Sequence, residues 1–148
     1  TIDGGRVIVV YGRPYMKHPK TGEVRQIWGD LVPYGQVWRA GADEATMFVT
    51  EKALLVGGKP VPAGAYSLFL LPKEDGSASL ILNKVPGQWG AYKYDQAQDL
   101  ARIELKRSEV DSPVDQFTIA LERGQPAGGT LKLTWDKVQY SIDLAGQK

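Results

Sequence analysis

Large apolar side chains occupy every second position along the C-terminal part of the chain. The alternation runs through residues 101–105, 117–122, 131–135 and 138–144, with polar or small residues between. A β-strand turns successive side chains to opposite faces of a sheet, so a period of two is typical of strands with one buried face. The dipeptide Asp136-Lys137 separates the last two runs and predicts a turn that joins them as a C-terminal hairpin.

Earlier in the chain, five runs are apolar almost throughout: 7–11, 45–50, 53–56, 65–71 and 78–83. Such runs suit central strands covered on both faces. Turn-forming pairs such as Gly57-Gly58 and Asp75-Gly76 separate them. Only residues 94–100 leave room for a short helix. We therefore predict an all-β fold, a single β-sandwich or jelly-roll-like domain over residues 1–148. It would have about eight to ten short, mostly antiparallel strands and at most one short helix.

Charge and composition exclude several classes of function. The 18 basic and 17 acidic residues give a net charge of +1, which supplies no basic field for nucleic acid. The chain has no cysteine and one histidine, His18, so thiol catalysis and Cys- or His-rich metal sites are excluded. No Asp-x-Asp-x-Asp-Gly calcium loop is present. We predict no metal, no cofactor and no membrane insertion, because the apolar runs are far shorter than the ~20 residues of a membrane helix.

Polar and aromatic residues crowd three segments between the predicted strands. We expect them to line one cleft that binds a small polar or carbohydrate ligand, or a cell-envelope component, without catalysis. Arginines orient anionic groups and aromatic rings stack on sugars, which is why these residue types suggest such a site. The predicted ligand-binding residues are Arg13, Arg39, Glu44, Asn83, Trp89 and Tyr92.

Two other interpretations stay open from the sequence. In the first, the protein is a hydrolase or lyase in which Glu44 is the general base and an arginine stabilises developing negative charge. In the second, Arg39 and Glu44 form a buried ion pair that serves only as scaffolding. Asn83 either points into the cleft or caps a turn through its side chain, and His18 is expected on a solvated loop tip. The oligomeric state and the strand order stay undetermined.

Five segments of the chain carry a family resemblance. They are Tyr11-Gly12-Arg13-Pro14, residues 29–46 (GDLVPYGQVWRAGADEAT), residues 62–69 (PAGAYSLF), Ile81-Leu82-Asn83-Lys84 and Gln88-Trp89-Gly90-Ala91-Tyr92. On these segments the chain resembles the DUF2911 domain family, a bacterial family of unknown function, from about residue 7 to 144. The resemblance implies a periplasmic or secreted protein whose signal peptide has been removed. Where the family pattern often has Asn before the glutamate, this chain has Asp43.

Overall fold

The computed structural model describes residues 1–89, 91, 94–125 and 127–147. Within them, nine strands and one 3-10 helix, Gln96–Gln98, follow one another along the chain. The strands are β1 (Val7–Val10), β2 (Thr46–Thr50), β3 (Leu54–Val56), β4 (Lys59–Val61), β5 (Gly64–Pro72), β6 (Ala78–Asn83), β7 (Asp99–Glu104), β8 (Lys106–Arg123) and β9 (Gly129–Gly146).

Two antiparallel sheets pack face to face as a β-sandwich. One sheet has five strands in the order β1-β2-β5-β6-β7, and the other has four in the order β4-β3-β9-β8. This confirms the predicted all-β sandwich, and the helix-compatible segment contains the 3-10 helix. None of the helical segments within the described residues is long and apolar enough to cross a membrane.

The C-terminal hairpin differs from its prediction. β9 continues without a break through Asp136 and Lys137, and β8 pairs with it along most of its length, so the predicted turn there is wrong. Asp136 has a positive φ of 55° at a register shift, which marks a β-bulge. The bulge moves the buried side chains from odd positions, ending at Trp135, to even positions, beginning at Val138. The chain reverses between Arg123 and Gly129 instead.

Aromatic residues dominate one end of the core between the sheets. Trp135 and Tyr140 are 1% and 2% exposed, which confirms their predicted core positions. Trp38, from the long segment before β2, stacks on Trp135 with ring centroids 5.8 Å apart. The indole of Trp28 donates a hydrogen bond to the Trp135 carbonyl at 3.1 Å. The segment between β1 and β2 is therefore part of the core.

The start of that segment lies along the outer edge of β8. Phe117 N donates to Pro14 O at 2.8 Å, and Met16 N donates to Asp115 O at 2.7 Å. The Tyr11 hydroxyl accepts from Ile119 N at 3.0 Å and donates to Ile119 O at 3.3 Å. One side chain thus satisfies both backbone groups of an edge residue. These contacts join the two sheets along one side and fix residues 11–16 in place.

A second, smaller apolar cluster lies on the outer face of the five-stranded sheet. Ala45, Phe69 and Ile81 form its buried centre. Val37 and Tyr94, from the segments before β2 and before β7, pack over it, and the Tyr94 and Phe69 ring centroids are 5.1 Å apart. Two loop regions are therefore held close to the sheet without belonging to it.

Candidate functional site

A groove of about 1030 Å³ opens at the aromatic end of the sandwich. Its walls come from residues 14–25 and 31–42, and its floor comes from Trp38 and Trp135. Trp38 is held by reciprocal backbone hydrogen bonds with Leu70 of β5, at 2.8 and 2.9 Å. Because Trp38 pairs with β5 beyond the start of β2, its ring points to the core while the next residue, Arg39, lines the groove.

Two glycines allow the backbone at residue 12 to approach the groove wall at residues 41–42 closely. A side chain at Gly12 would overlap the carbonyl of Ala42, and a Cβ at Gly41 would lie 2.8 Å from the carbonyl of Gly12. Only glycine fits where two backbones meet in this way. Gly12 and Gly41 belong to two of the segments that carry the family resemblance, and the structure shows that these segments contact each other.

The charged side chains that line the groove are mostly basic. Among the described residues, Lys17, Arg25 and Arg39 line it together with His18 and one acidic residue, Asp115. Asp115 Oδ1 already accepts a hydrogen bond from Met16 N at 3.2 Å. Although the whole chain is nearly neutral, the charged residues that line the described part of the groove are three cations and one anion, a balance that favours anions.

Both arginines are anchored through part of the guanidinium and present the rest to the groove. Arg25 donates from Nε to Met16 O at 3.2 Å and from Nη2 to Tyr15 O at 2.6 Å. Arg39 donates from Nε to Gly41 O at 3.4 Å. Among the described residues, Nη1 of Arg25 and both terminal nitrogens of Arg39 have no hydrogen-bond partner. Such donors match the geometry of a carboxylate or a phosphate.

His18 belongs to the wall of the groove and is half-buried, in contrast to the solvated loop tip expected from the sequence. Its Nδ1 accepts hydrogen bonds from Lys20 N at 3.1 Å and Thr21 N at 3.3 Å. Because Nδ1 is an acceptor, the neutral ring carries its proton on Nε2. His18 can therefore donate a hydrogen bond from Nε2.

The predicted ligand-binding residues do not all line this groove. Arg39 does, whereas Arg13 is exposed and donates to Phe117 O at 3.2 Å and to Thr118 Oγ1 at 3.0 Å on β8. Glu44 is exposed beside a separate depression of about 200 Å³. Trp89 is 61% exposed and forms a β-bridge with Glu44. Tyr92 lies outside the described residues.

Arg39 and Glu44 form no ion pair with each other, although both belong to the described part of the chain. The scaffolding interpretation required the two side chains to be buried together. Here one lines the groove and the other is exposed at a different depression.

Asn83 is buried and caps a turn, as the second alternative for this residue proposed. Its Nδ2 donates to Asp99 Oδ1 at 2.9 Å and to Asp95 O at 3.1 Å. Its Oδ1 accepts from Val85 N at 3.0 Å and from Gln88 Nε2 at 3.1 Å. Both donors and both acceptor positions of the amide are thus used within the protein, and the side chain holds residues 83–99 together.

The sequence pattern did not predict a polar network that adjoins Asn83. Tyr94 OH hydrogen-bonds Asp99 Oδ2, which also accepts from Arg102 Nε at 3.0 Å, and Arg102 Nη2 donates to Tyr94 OH at 2.8 Å. Burial, followed by the hydrogen bond to Asp99, raises the pKa of Tyr94, and the hydrogen bond with Tyr94 raises the pKa of Arg102. These shifts keep both groups protonated at neutral pH, which suits a structural brace better than proton transfer.

Nothing in the described residues resembles a metal centre: no group of three or more His, Asp and Glu side chains could hold an ion. The family model described as a protein of unknown function, DUF2911, matches residues 1–144. The chain belongs to the DUF2911 family. Neither the curated proteins nor the solved structures compared with this DUF2911 chain include a match. The family resemblance inferred from the sequence is thereby confirmed, and the function has to come from the site.

Proposed function

We propose that this domain binds, without catalysis, a small ligand with an anionic group and an apolar or sugar-like body in the groove. The observation that carries the proposal is the arrangement of basic side chains, including Arg25 and Arg39, around a floor of Trp38 and Trp135. The guanidinium groups would hold a carboxylate or phosphate, and the ring of Trp38 would contact the remainder, because Trp135 is only 1% exposed. A periplasmic or secreted location, and therefore a cell-envelope ligand, belongs to the proposal on the family resemblance alone.

The geometry gives less support to a hydrolase or lyase that uses Glu44. This residue is exposed at the smaller depression, whose other titratable lining residues are Asp43 and Tyr11. A general base works together with a second group inside a site that excludes water. The groove itself contains one carboxylate, Asp115, which is exposed and takes part in holding Met16.

The test is to titrate defined small anions into the folded protein and to monitor their binding by NMR. Glucuronate and a sugar phosphate serve as anionic probes, and glucose is the neutral probe of similar shape. We expect the anions to shift the indole N–H signals of Trp38 and Trp135 and to bind more weakly as the salt concentration rises. We expect glucose to bind most weakly of the three probes.

Two variants separate groove binding from general attraction to positive charge. Arg39→Gln should weaken binding of the anions by about tenfold or more, because a hydrogen bond to a charged group contributes about 1.5–3 kcal/mol. Arg123→Gln is the matched control, since Arg123 is exposed at the far end of β8 and, among the described residues, donates a hydrogen bond only to Thr1 Oγ1. The proposal fails if no anion shifts the groove signals, or if both variants weaken binding equally.

A further inference from the structure

The edge strands β8, β4 and β1 differ in how they are protected. The outer edge of β8 is covered by residues 14–16 and Tyr11. β4 is three residues long and contains Pro60, and Lys59 Nζ donates to Arg102 O of β7 at 3.0 Å. Short length, proline and lysine are the usual means of blocking edge-to-edge pairing. β1 is one residue longer than β4, but it contains neither proline nor lysine within Val7–Val10, and no described segment pairs with its outer edge.

The backbone of β1 presents unused hydrogen-bonding groups to solvent. Glu51 N donates to Arg6 O at 2.9 Å, and the β1–β2 register is regular from there. In an antiparallel ladder, alternate residues face the partner strand, so Ile8 and Val10 bond to β2. The N–H and C=O groups of Val7 and Val9 therefore point away from the sheet, and no described residue bonds to them.

The side chains of β1 make this edge apolar as well as open. Val7 and Val9 pack against the core. Ile8 and Val10 lie on the outer face of the sheet and are 42% and 58% exposed. The β-branched side chains and the lack of charge within the strand favour addition of another strand.

We propose that β1 is a dimerisation edge on which a second copy of this chain pairs antiparallel about a two-fold axis. The outward-facing groups of Val7 and Val9 would bond to Val9 and Val7 of the second copy. Ile8 would then lie opposite Ile8 of the second copy, at the axis, and the two five-stranded sheets would become continuous.

The charges at the two ends of β1 fit an antiparallel partner of the same sequence. Arg6 and Lys52 lie at the start of the strand, and Asp43 and Glu44 adjoin its end beside Val10. Antiparallel pairing brings the basic end of one copy to the acidic end of the other, at both ends of the interface. None of these four residues forms an ion pair within the described chain.

Glu51 lies opposite Arg6 in the ladder register and partly offsets the basic end, although the two side chains form no ion pair. The ends still differ in sign, with two cations and one anion against two anions.

A single strand pair buries less area than a standard interface. We therefore expect a reversible dimer with a dissociation constant on the order of 10–100 µM.

Sedimentation velocity at protein concentrations from about 5 µM to 1 mM tests the association, because this range brackets the expected dissociation constant. Ile8→Lys would place two lysines opposite each other at the axis, and we expect it to weaken dimerisation at least tenfold. Val24→Lys is the control, because Val24 is also apolar and 66% exposed but lies in the loop before β2. A chain that stays monomeric across the range overturns the proposal, as does a dimer that both variants leave equally intact.

Charge reversal tests the antiparallel orientation. Arg6→Glu and Glu44→Arg should each weaken the dimer, and the double variant should associate more strongly than Arg6→Glu alone, because residues 6 and 44 then again carry opposite charges. A double variant that associates no more strongly than Arg6→Glu overturns this arrangement. The thermal midpoint of each variant reports whether it still folds.

Hydrogen exchange of the unmodified protein supplies a measurement that needs no variant. The amides of Val7 and Val9 should become protected as concentration rises, while the amides of Ile8 and Val10 stay protected throughout. Equal protection of all four amides at low concentration would contradict the open edge.

Discussion

Two polar regions of this molecule both contain arginine and aspartate side chains, and they differ in whether the hydrogen bonds of those side chains are satisfied. Around Asn83, the amide, the Asp99 carboxylate, the Tyr94 hydroxyl and the Arg102 guanidinium bond to one another. In the groove, the outer nitrogens of Arg39 have no partner among the described residues. A closed network fixes a loop, whereas unpaired donors above an aromatic floor can accept a ligand. The hydrogen-bond inventory therefore distinguishes the two regions where composition does not.

The largest effect should come from Asn83→Ala, which we expect to lower the free energy of unfolding by about 3 kcal/mol. The change removes the present partner of Val85 N, Asp95 O and Asp99 Oδ1 at a residue that is only 1% exposed. Denaturant unfolding measures it. A loss below about 1 kcal/mol would show that water replaces the amide and that the network is not closed.

Two arginine variants give a paired test of intermediate size. Arg102→Gln removes the cation that contacts Asp99, whose side chain is 9% exposed, and should destabilise the protein by about 1–2 kcal/mol. Arg39→Gln should change stability by less than about 0.5 kcal/mol, because its outer nitrogens bond to nothing in the described chain. Chemical denaturation of both variants under the same conditions compares them directly. Equal losses would remove the distinction between the regions.

Tyr94→Phe should destabilise the protein by about 1 kcal/mol at pH 8, and this loss should shrink as pH rises. The pKa of Tyr94 is raised in the folded state, chiefly by burial, so its stabilising contribution is fully present below the unfolded pKa near 10. The contribution disappears as pH increases through the folded pKa. Unfolding free energies of both proteins between pH 8 and 11 test this, since Tyr66 and Tyr140 contribute equally to each. A difference that grows with pH would contradict the assignment.

Glu44→Gln should have the smallest effect, within about 0.5 kcal/mol, at concentrations where the protein is monomeric. The carboxylate is exposed and forms no ion pair with Arg39. The same denaturation experiment tests it. A loss of several kcal/mol would revive the scaffolding interpretation, because breaking a buried ion pair costs about 3–5 kcal/mol.

Several strands were predictable because their pattern depends only on neighbouring residues. The apolar runs became β2, β5 and β6 almost at their predicted bounds. The turn at Asp136 was wrong because a bulge and a turn both require a break in alternation, and local sequence does not say whether the chain reverses there. Partner strands decide that question.

The candidate site was harder to predict than the strands. Arg39, one of the predicted ligand-binding residues, lines the groove, whereas Lys17, His18 and Arg25 were not among them and lie in a loop without periodicity. They join the groove because Pro14 and Met16 pair with β8, about a hundred residues further along the chain. No spacing within the loop reveals such a pairing, since the hydrogen-bond partners are backbone groups of a distant strand.

The sequence by itself determined the strand-rich class and the sandwich architecture, because alternating side chains and turn residues act over a few positions. The family followed from the resemblance of five sequence segments. Only the tertiary structure decided which polar residues are satisfied and which remain open. The side-chain amide of Asn83 is fully hydrogen-bonded to its neighbours, Arg39 faces a groove, and the outer edge of β1 has no partner strand among the described residues. The physical reason is that hydrogen-bond satisfaction depends on contacts between segments distant in sequence, whereas strand formation depends mostly on the segment itself.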